Sequence, residues 1–87
     1  GEHNQATVEV YPNPAKDQVR IKAIGLGEGE VTVRFIDILG RVVVEMKKTS
    51  SGATFSTSID TFSLPSGLYD IQLNGSGKTH NSRVLIF

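Results

Sequence analysis

"VTVRFIDILGRVVVEMKKT", residues 31–49, holds two β-rich runs on either side of a short break. In the first run Val31, Val33 and Phe35 alternate with Thr32 and Arg34. A period of two sends successive side chains to opposite faces of a strand, so this run has one face to bury. "DILGR", 37–41, is a tight connection in which Gly40 supplies the positive φ that closes a hairpin at little steric cost, and "RVVVEMKKT" then returns. The centre of the chain therefore folds as antiparallel β-structure, and the rest of the sequence extends that pattern.

Upstream, "TVEVY" sets Val8 and Val10 against Thr7 and Glu9, and "DQVRIKAI" sets Val19, Ile21 and Ala23 against Gln18, Arg20 and Lys22. "GLGEGE", 25–30, has glycine at alternate positions and reads as a loop between this run and the central one. Downstream, "ATFSTSID" gives Phe55 and Ile59 one parity with Thr57 between them. "LPSG", 64–67, breaks the chain before "LYDIQL", whose inward set is Tyr69, Ile71 and Leu73. "NGSGK", 74–78, signals a hairpin, because Asn-Gly suits a two-residue type I′ turn; "HNSRVLIF" is the last strand. Seven strand-like runs and no sustained helical period predict an all-β fold, an immunoglobulin-like antiparallel β-sandwich of about seven strands. The Cys-Trp-Cys core of antibody domains is missing, and a small open barrel is the alternative.

The chain has 87 residues, enough for one domain, and a chain of this size buries only roughly 60–65% of its unfolded surface. Without cysteine it has no disulfide or thiolate metal site to supplement the core. Nine Lys and Arg balance nine Asp and Glu and lie interspersed, which argues against nucleic acid as a partner. The longest apolar runs, "VVV" at 42–44 and "VLIF" at 84–87, fall far short of the roughly 20 residues of a transmembrane helix, so no transmembrane segment is expected. Residues 1–6 are polar and without period and read as a linker remnant before a domain at 7–87; a signal peptide would belong to a longer precursor.

Catalysis and cofactors find little support. His3 and His80 are far apart in sequence, and no carboxylate pair or nucleophile is spaced to join them. Ser50, Ser51, Ser63 and Ser66 lie in turn-like segments, where hydroxyls serve the local backbone. "GLGEGEV" leads into a strand, whereas a dinucleotide-binding loop leads into a helix. Asp17, Asp37, Asp60 and Asp70 sit in separate segments without the spacing of a calcium loop. "GEH" at 1–3 would suit square-planar copper or nickel only if Gly1 were a native end, and "NGS" at 74–76 fits the glycosylation pattern but is explained by turn geometry. With no Trp and only Tyr11 and Tyr69, aromatic platforms for a sugar are scarce.

Two stretches stand out. In "VYPNPAKDQVRI", 10–21, Pro12 and Pro14 fix their φ and donate no hydrogen bond, while Asn13 is pushed toward extended geometry. This stiffens the junction between two strands. "RVLIF", 83–87, is an apolar strand with one charge, and its edge groups would be a template for strand addition or a strand-mediated dimer.

In order, Tyr11-Pro12-Asn13-Pro14, the Asp-x-x-Gly turn at Asp37 and Gly40, the Gly-x-Tyr element at Gly67 and Tyr69, and a basic residue before a terminal aliphatic strand resemble the carboxy-terminal sorting domain of the type IX (Por) secretion system. The resemblance covers 8–87. It implies a non-catalytic domain with an immunoglobulin-like sandwich fold, the last in exported proteins of the Bacteroidetes. Such a domain carries a fused amino-terminal passenger from the periplasm through the outer-membrane translocon to the cell surface or outside it. It also implies translocon and sortase-like components as partners, with cleavage in the preceding linker, and no cofactor. Arg83, Val84, Leu85, Ile86 and Phe87 are the expected recognition residues. Many members end in lysine, whereas this chain has Arg83 and ends on Phe87. A retained immunoglobulin-like interaction or adhesion module on the cell surface is the alternative.

Overall fold

The alternating runs form five β-strands in the computed structural model, which describes residues 6–87. They are β1 (Thr7–Tyr11), β2 (Gln18–Ile36), β3 (Val42–Asp60), β4 (Gly67–Gly75) and β5 (Lys78–Ile86). All the strand pairs are antiparallel. β3 follows one edge of β2 along nearly its whole length. The other edge of β2 carries β1 opposite residues 20–24 and β4 opposite residues 32–36, and β5 lies beyond β4.

The expected seven-strand sandwich is thus corrected to five strands in one curled sheet. The runs "DQVRIKAI" and "VTVRFID" are two halves of β2, and "RVVVEMKKT" and "ATFSTSID" are two halves of β3. "GLGEGE" is not a loop: Gly27, Glu28, Gly29 and Glu30 pair with Gly52, Ser51, Ser50 and Thr49. These positions form a corner instead. A straight strand of 19 residues would span about 60 Å at roughly 3.3 Å per residue. The longest dimension of the molecule is only 40 Å, so both long strands must bend. The register shifts between Ile24 and Gly27, and Gly25, Gly27, Gly29 and Gly52 all have positive φ there. At Gly27 the need for glycine is double, because φ is +85° and a Cβ would lie 2.7 Å from Ser76 Oγ.

In β3 the corner changes which parity faces inward, whereas in β2 odd-numbered residues face inward on both sides of it. Along β3 the covered side chains are the even-numbered Val44, Met46 and Ser50 before Gly52, and the odd-numbered Phe55, Thr57 and Ile59 after it. A slip of one residue exchanges the faces of a strand, so the bend lets each half present apolar side chains to the same interior. That interior holds Val19, Ile21 and Ala23 with Val31, Val33 and Phe35 from β2, and Tyr69, Ile71 and Leu73 from β4. Val84 and Ile86 from β5 complete it, with Ala15 and Leu26. Val8 and Val10 pack on its margin, as does Ala6; the rest of the expected linker, residues 1–5 with His3, lies outside the described residues.

The β4–β5 turn also differs from expectation. Its two central residues are Ser76 and Gly77, with φ of 52° and 74°, while Gly75 pairs with Lys78 in the ladder. Asn-Gly stays inside β4 because Asn74 accepts a hydrogen bond from the Thr79 hydroxyl and Gly75 packs on Val31. The turn is displaced by two residues, which keeps every side chain on its expected face.

Candidate functional site

Pro12 and Pro14 have no N–H, so the chain after β1 cannot continue a regular ladder. Both the Tyr11–Pro12 and the Asn13–Pro14 peptide bonds are cis. The carboxamide of Asn13 takes over the pairing: its Nδ2 donates to the Arg83 carbonyl at 3.2 Å, and the Leu85 N–H donates to its Oδ1 at 3.1 Å. Ala15, fully buried, continues in the same direction. Its N–H donates to the Leu85 carbonyl at 2.7 Å, and the Phe87 N–H donates to its carbonyl at 2.9 Å. Asn13 and Ala15 therefore occupy the outer edge of the terminal strand from Arg83 to Phe87. The edge expected to be available for strand addition is covered by the chain's own proline motif.

Of the other motif residues, Gly67 and Tyr69 lie on β4 beside the same strand, and Asp37 and Gly40 lie in the turn between β2 and β3. Asp37 organises the β2–β3 turn: its Oδ1 accepts from the Leu39 and Arg41 N–H groups, both at 2.9 Å, and its Oδ2 accepts from Arg41 Nε at 2.9 Å. The Arg41 backbone N–H, followed by the Arg41 guanidinium and the Leu39 N–H, holds this carboxyl below its ordinary pKa. Gly40 has the expected positive φ, 83°, and its N–H closes the turn on the Asp37 carbonyl at 2.9 Å. Gly67 opens β4 opposite Ile86. Tyr69, opposite Val84, buries its ring, and its hydroxyl donates to the Pro65 carbonyl at 2.6 Å. That bond fastens the "LPSG" break onto β4, a role the sequence did not reveal.

Pairing with β4 divides the expected recognition residues by parity. Val84 and Ile86 are core, 0% and 1% exposed, whereas Leu85 and Phe87 are 43% and 62% exposed and Arg83 points outward with them. Of these five, Arg83, Leu85 and Phe87 are therefore the ones with exposed side chains. Leu85 lies opposite the exposed Leu68, and Arg83 lies opposite Asp70.

Next to Leu68 stands the tip of the β2–β3 turn, where Ile38 and Leu39 are 79% and 71% exposed. A cleft of about 270 Å³ runs between this tip and the "LPSG" segment, lined by Ile38, Leu39, Pro65 and Leu68 among others. A second, of about 180 Å³, joins Ile38 and Leu68 to Arg83. The result is an apolar surface with Arg41 and Arg83 at its margins. The sequence reading does not single out Ile38, Leu39 and Leu68, although two apolar residues at the tip of a tight turn are a legible anomaly, since loop tips are ordinarily polar. Among the described residues no group of three or more His, Cys, Asp or Glu side chains is gathered to hold a metal ion, and His80 lies within β5 opposite Leu73.

Known proteins place this arrangement. Latent dimeric PorU from Porphyromonas gingivalis has a similar fold at TM-score 0.70 and 18% identity, covering 93% of this chain and 9% of that one. A β-glucosidase from Listeria innocua in complex with glucose aligns at TM-score 0.45 and 14% identity, over 94% of this chain and 16% of that one, too low a score to support a shared fold. The search of curated proteins gives no match. A family profile described as "Secretion system C-terminal sorting domain" matches residues 9–87. From Glu9 to Phe87, with its proline motif and its Gly-x-Tyr element on either side of the terminal strand and its Asp-x-x-Gly turn joining β2 to β3, the chain belongs to the type IX secretion system C-terminal sorting domain family.

Proposed function

We propose that this domain is a non-catalytic sorting signal that directs a fused amino-terminal passenger from the periplasm through the outer-membrane type IX translocon to the cell surface or beyond it. A sortase-like peptidase then acts in the stretch ahead of β1. Translocon components read the outward side chains Arg83, Leu85 and Phe87, with Leu68, Ile38 and Leu39 beside them. The observation that supports this reading is the split of the terminal strand: alternate residues hold the core while the residues between them, one cationic and two apolar, stay exposed. Proteins recognise partners through such apolar patches bordered by charge.

The test is a reporter fused behind a signal peptide and ahead of this domain in a type IX-competent bacterium. Deleting residues 83–87 would confuse recognition with folding, because Val84 and Ile86 are core. The informative variant is Arg83→Glu with Leu85→Ser and Phe87→Ser, which leaves the interior untouched. We expect it to keep the wild-type circular dichroism and to lose most surface delivery. Delivery equal to wild type would sink the proposal.

A further inference from the structure

β3 pairs through one edge only, with β2, and no described strand lies along its other edge. Between the Asp37 turn and the corner at Gly52 this edge is residues 42–50, regular from Val44 onward and bulged at Val43, where the register with β2 shifts. Val42 and Val43 are 52% and 38% exposed there, and Val44 and Met46 are only partly covered. The terminal strand is closed to strand addition by Asn13 and Ala15, so the apolar edge left open belongs to β3. An open edge with partly exposed apolar side chains is a template for another strand.

We propose that this edge pairs with the same edge of a second copy of the chain, antiparallel, about a two-fold axis at Met46. Charge selects both the partner and the register. With the axis on Met46, Glu45 lies opposite Lys47 of the second copy, and the symmetry repeats the pair. Moving the axis by one residue sets Glu45 against Glu45 or Lys47 against Lys47, and like charges directly opposite are unfavourable. An axis between residues fails for another reason: it sets outward-pointing backbone groups against inward-pointing ones. Within one chain Arg34 Nε already meets Glu45 Oε2 at 2.7 Å. The pairing extends that contact into a row of alternating sign across the joined sheets: Arg34, Glu45, then Lys47 of the second copy. Val44 faces Lys48 of the second copy, whose ammonium is already engaged by the Ser56 carbonyl at 2.7 Å, so its apolar stem covers the valine.

The competing account is that Lys47 and Lys48 blunt the edge and prevent pairing. The two accounts give opposite results. Sedimentation of the whole chain should show dimers as concentration rises toward about 1 mM, as expected for a small interface. Lys47→Glu and Glu45→Lys should each weaken association by about tenfold, and the two together should restore it, because the opposite charges then face each other in reverse. Lys47→Gln should also weaken it. The chain has no native cysteine, so Met46→Cys introduces a single thiol on the axis and should give a disulfide-linked dimer on mild oxidation, whereas Leu85→Cys should not. Circular dichroism checks that each variant is folded. A monomer at every concentration, a double variant no better than the single ones, or stronger association in Lys47→Gln would overturn the proposal.

Discussion

Asn13 is a single side chain doing what backbone does elsewhere in the sheet. The prolines on either side of it have no N–H to offer, and its carboxamide supplies both a donor and an acceptor to the terminal strand. Asn13→Ala should lower stability by about 1 kcal/mol, a Tm drop of roughly 4–8 °C, and should speed amide exchange at Leu85. Unchanged protection at Leu85 would contradict the assignment. Asp37 makes a pH-dependent contribution. Its carboxyl titrates below its ordinary value in the folded chain, so its stabilisation is fully present above the unfolded pKa of about 3.9 and is lost as pH falls through the lower folded value. The stability gap between wild type and Asp37→Asn should therefore be constant near neutrality and close in acid, as read by urea unfolding across that range. These residues were legible as motif positions. Their partners were not, because the Asn13 contacts join residues 70 and 72 positions apart, and nothing local to either segment specifies the other.

Among the elements, the two long strands show where local reading succeeds and where it stops. Every residue assigned inward on strand parity in β2 and β4, from Val19 to Leu73, is buried. What parity could not show is that four strand runs are two bent strands, because alternating glycines favour a loop locally and only the ladder between Gly27 and Gly52 makes them a corner. Gly27→Ala should cost about 1–2 kcal/mol in denaturant unfolding, since positive φ penalises any side chain and the added methyl crowds Ser76. The turn makes the reverse prediction. Among the described residues Ser76 is the non-glycine residue with positive φ, and Ser76→Asn places Asn-Gly at the true centre of the turn. That change should raise stability by about 0.5 kcal/mol, whereas a turn centred on Asn74 and Gly75 would gain nothing.

At the scale of the whole molecule, folding and presentation share one strand. Removing residues 83–87 deletes Val84 and Ile86 from the core together with the edge held by Asn13 and Ala15. Each buried aliphatic side chain contributes about 1.5–3 kcal/mol, against about 4–13 kcal/mol for a domain of this size. The truncated chain should therefore be largely unfolded by circular dichroism, while the outward triple variant should remain folded.

By itself the sequence determined the all-β class, the inward parity of the runs that became β2 and β4, the hairpin at Asp37–Gly40 and the family motifs, because all of these depend on residues close together in the chain. Tertiary structure alone decided that seven runs make five strands, that the proline motif closes the terminal edge, and that Ile38, Leu39, Leu68 and Leu85 share one surface. The physical reason is that backbone groups and exposed apolar side chains are alike along any strand. Which of them meet is settled when the curled sheet brings distant segments together and the interior fills.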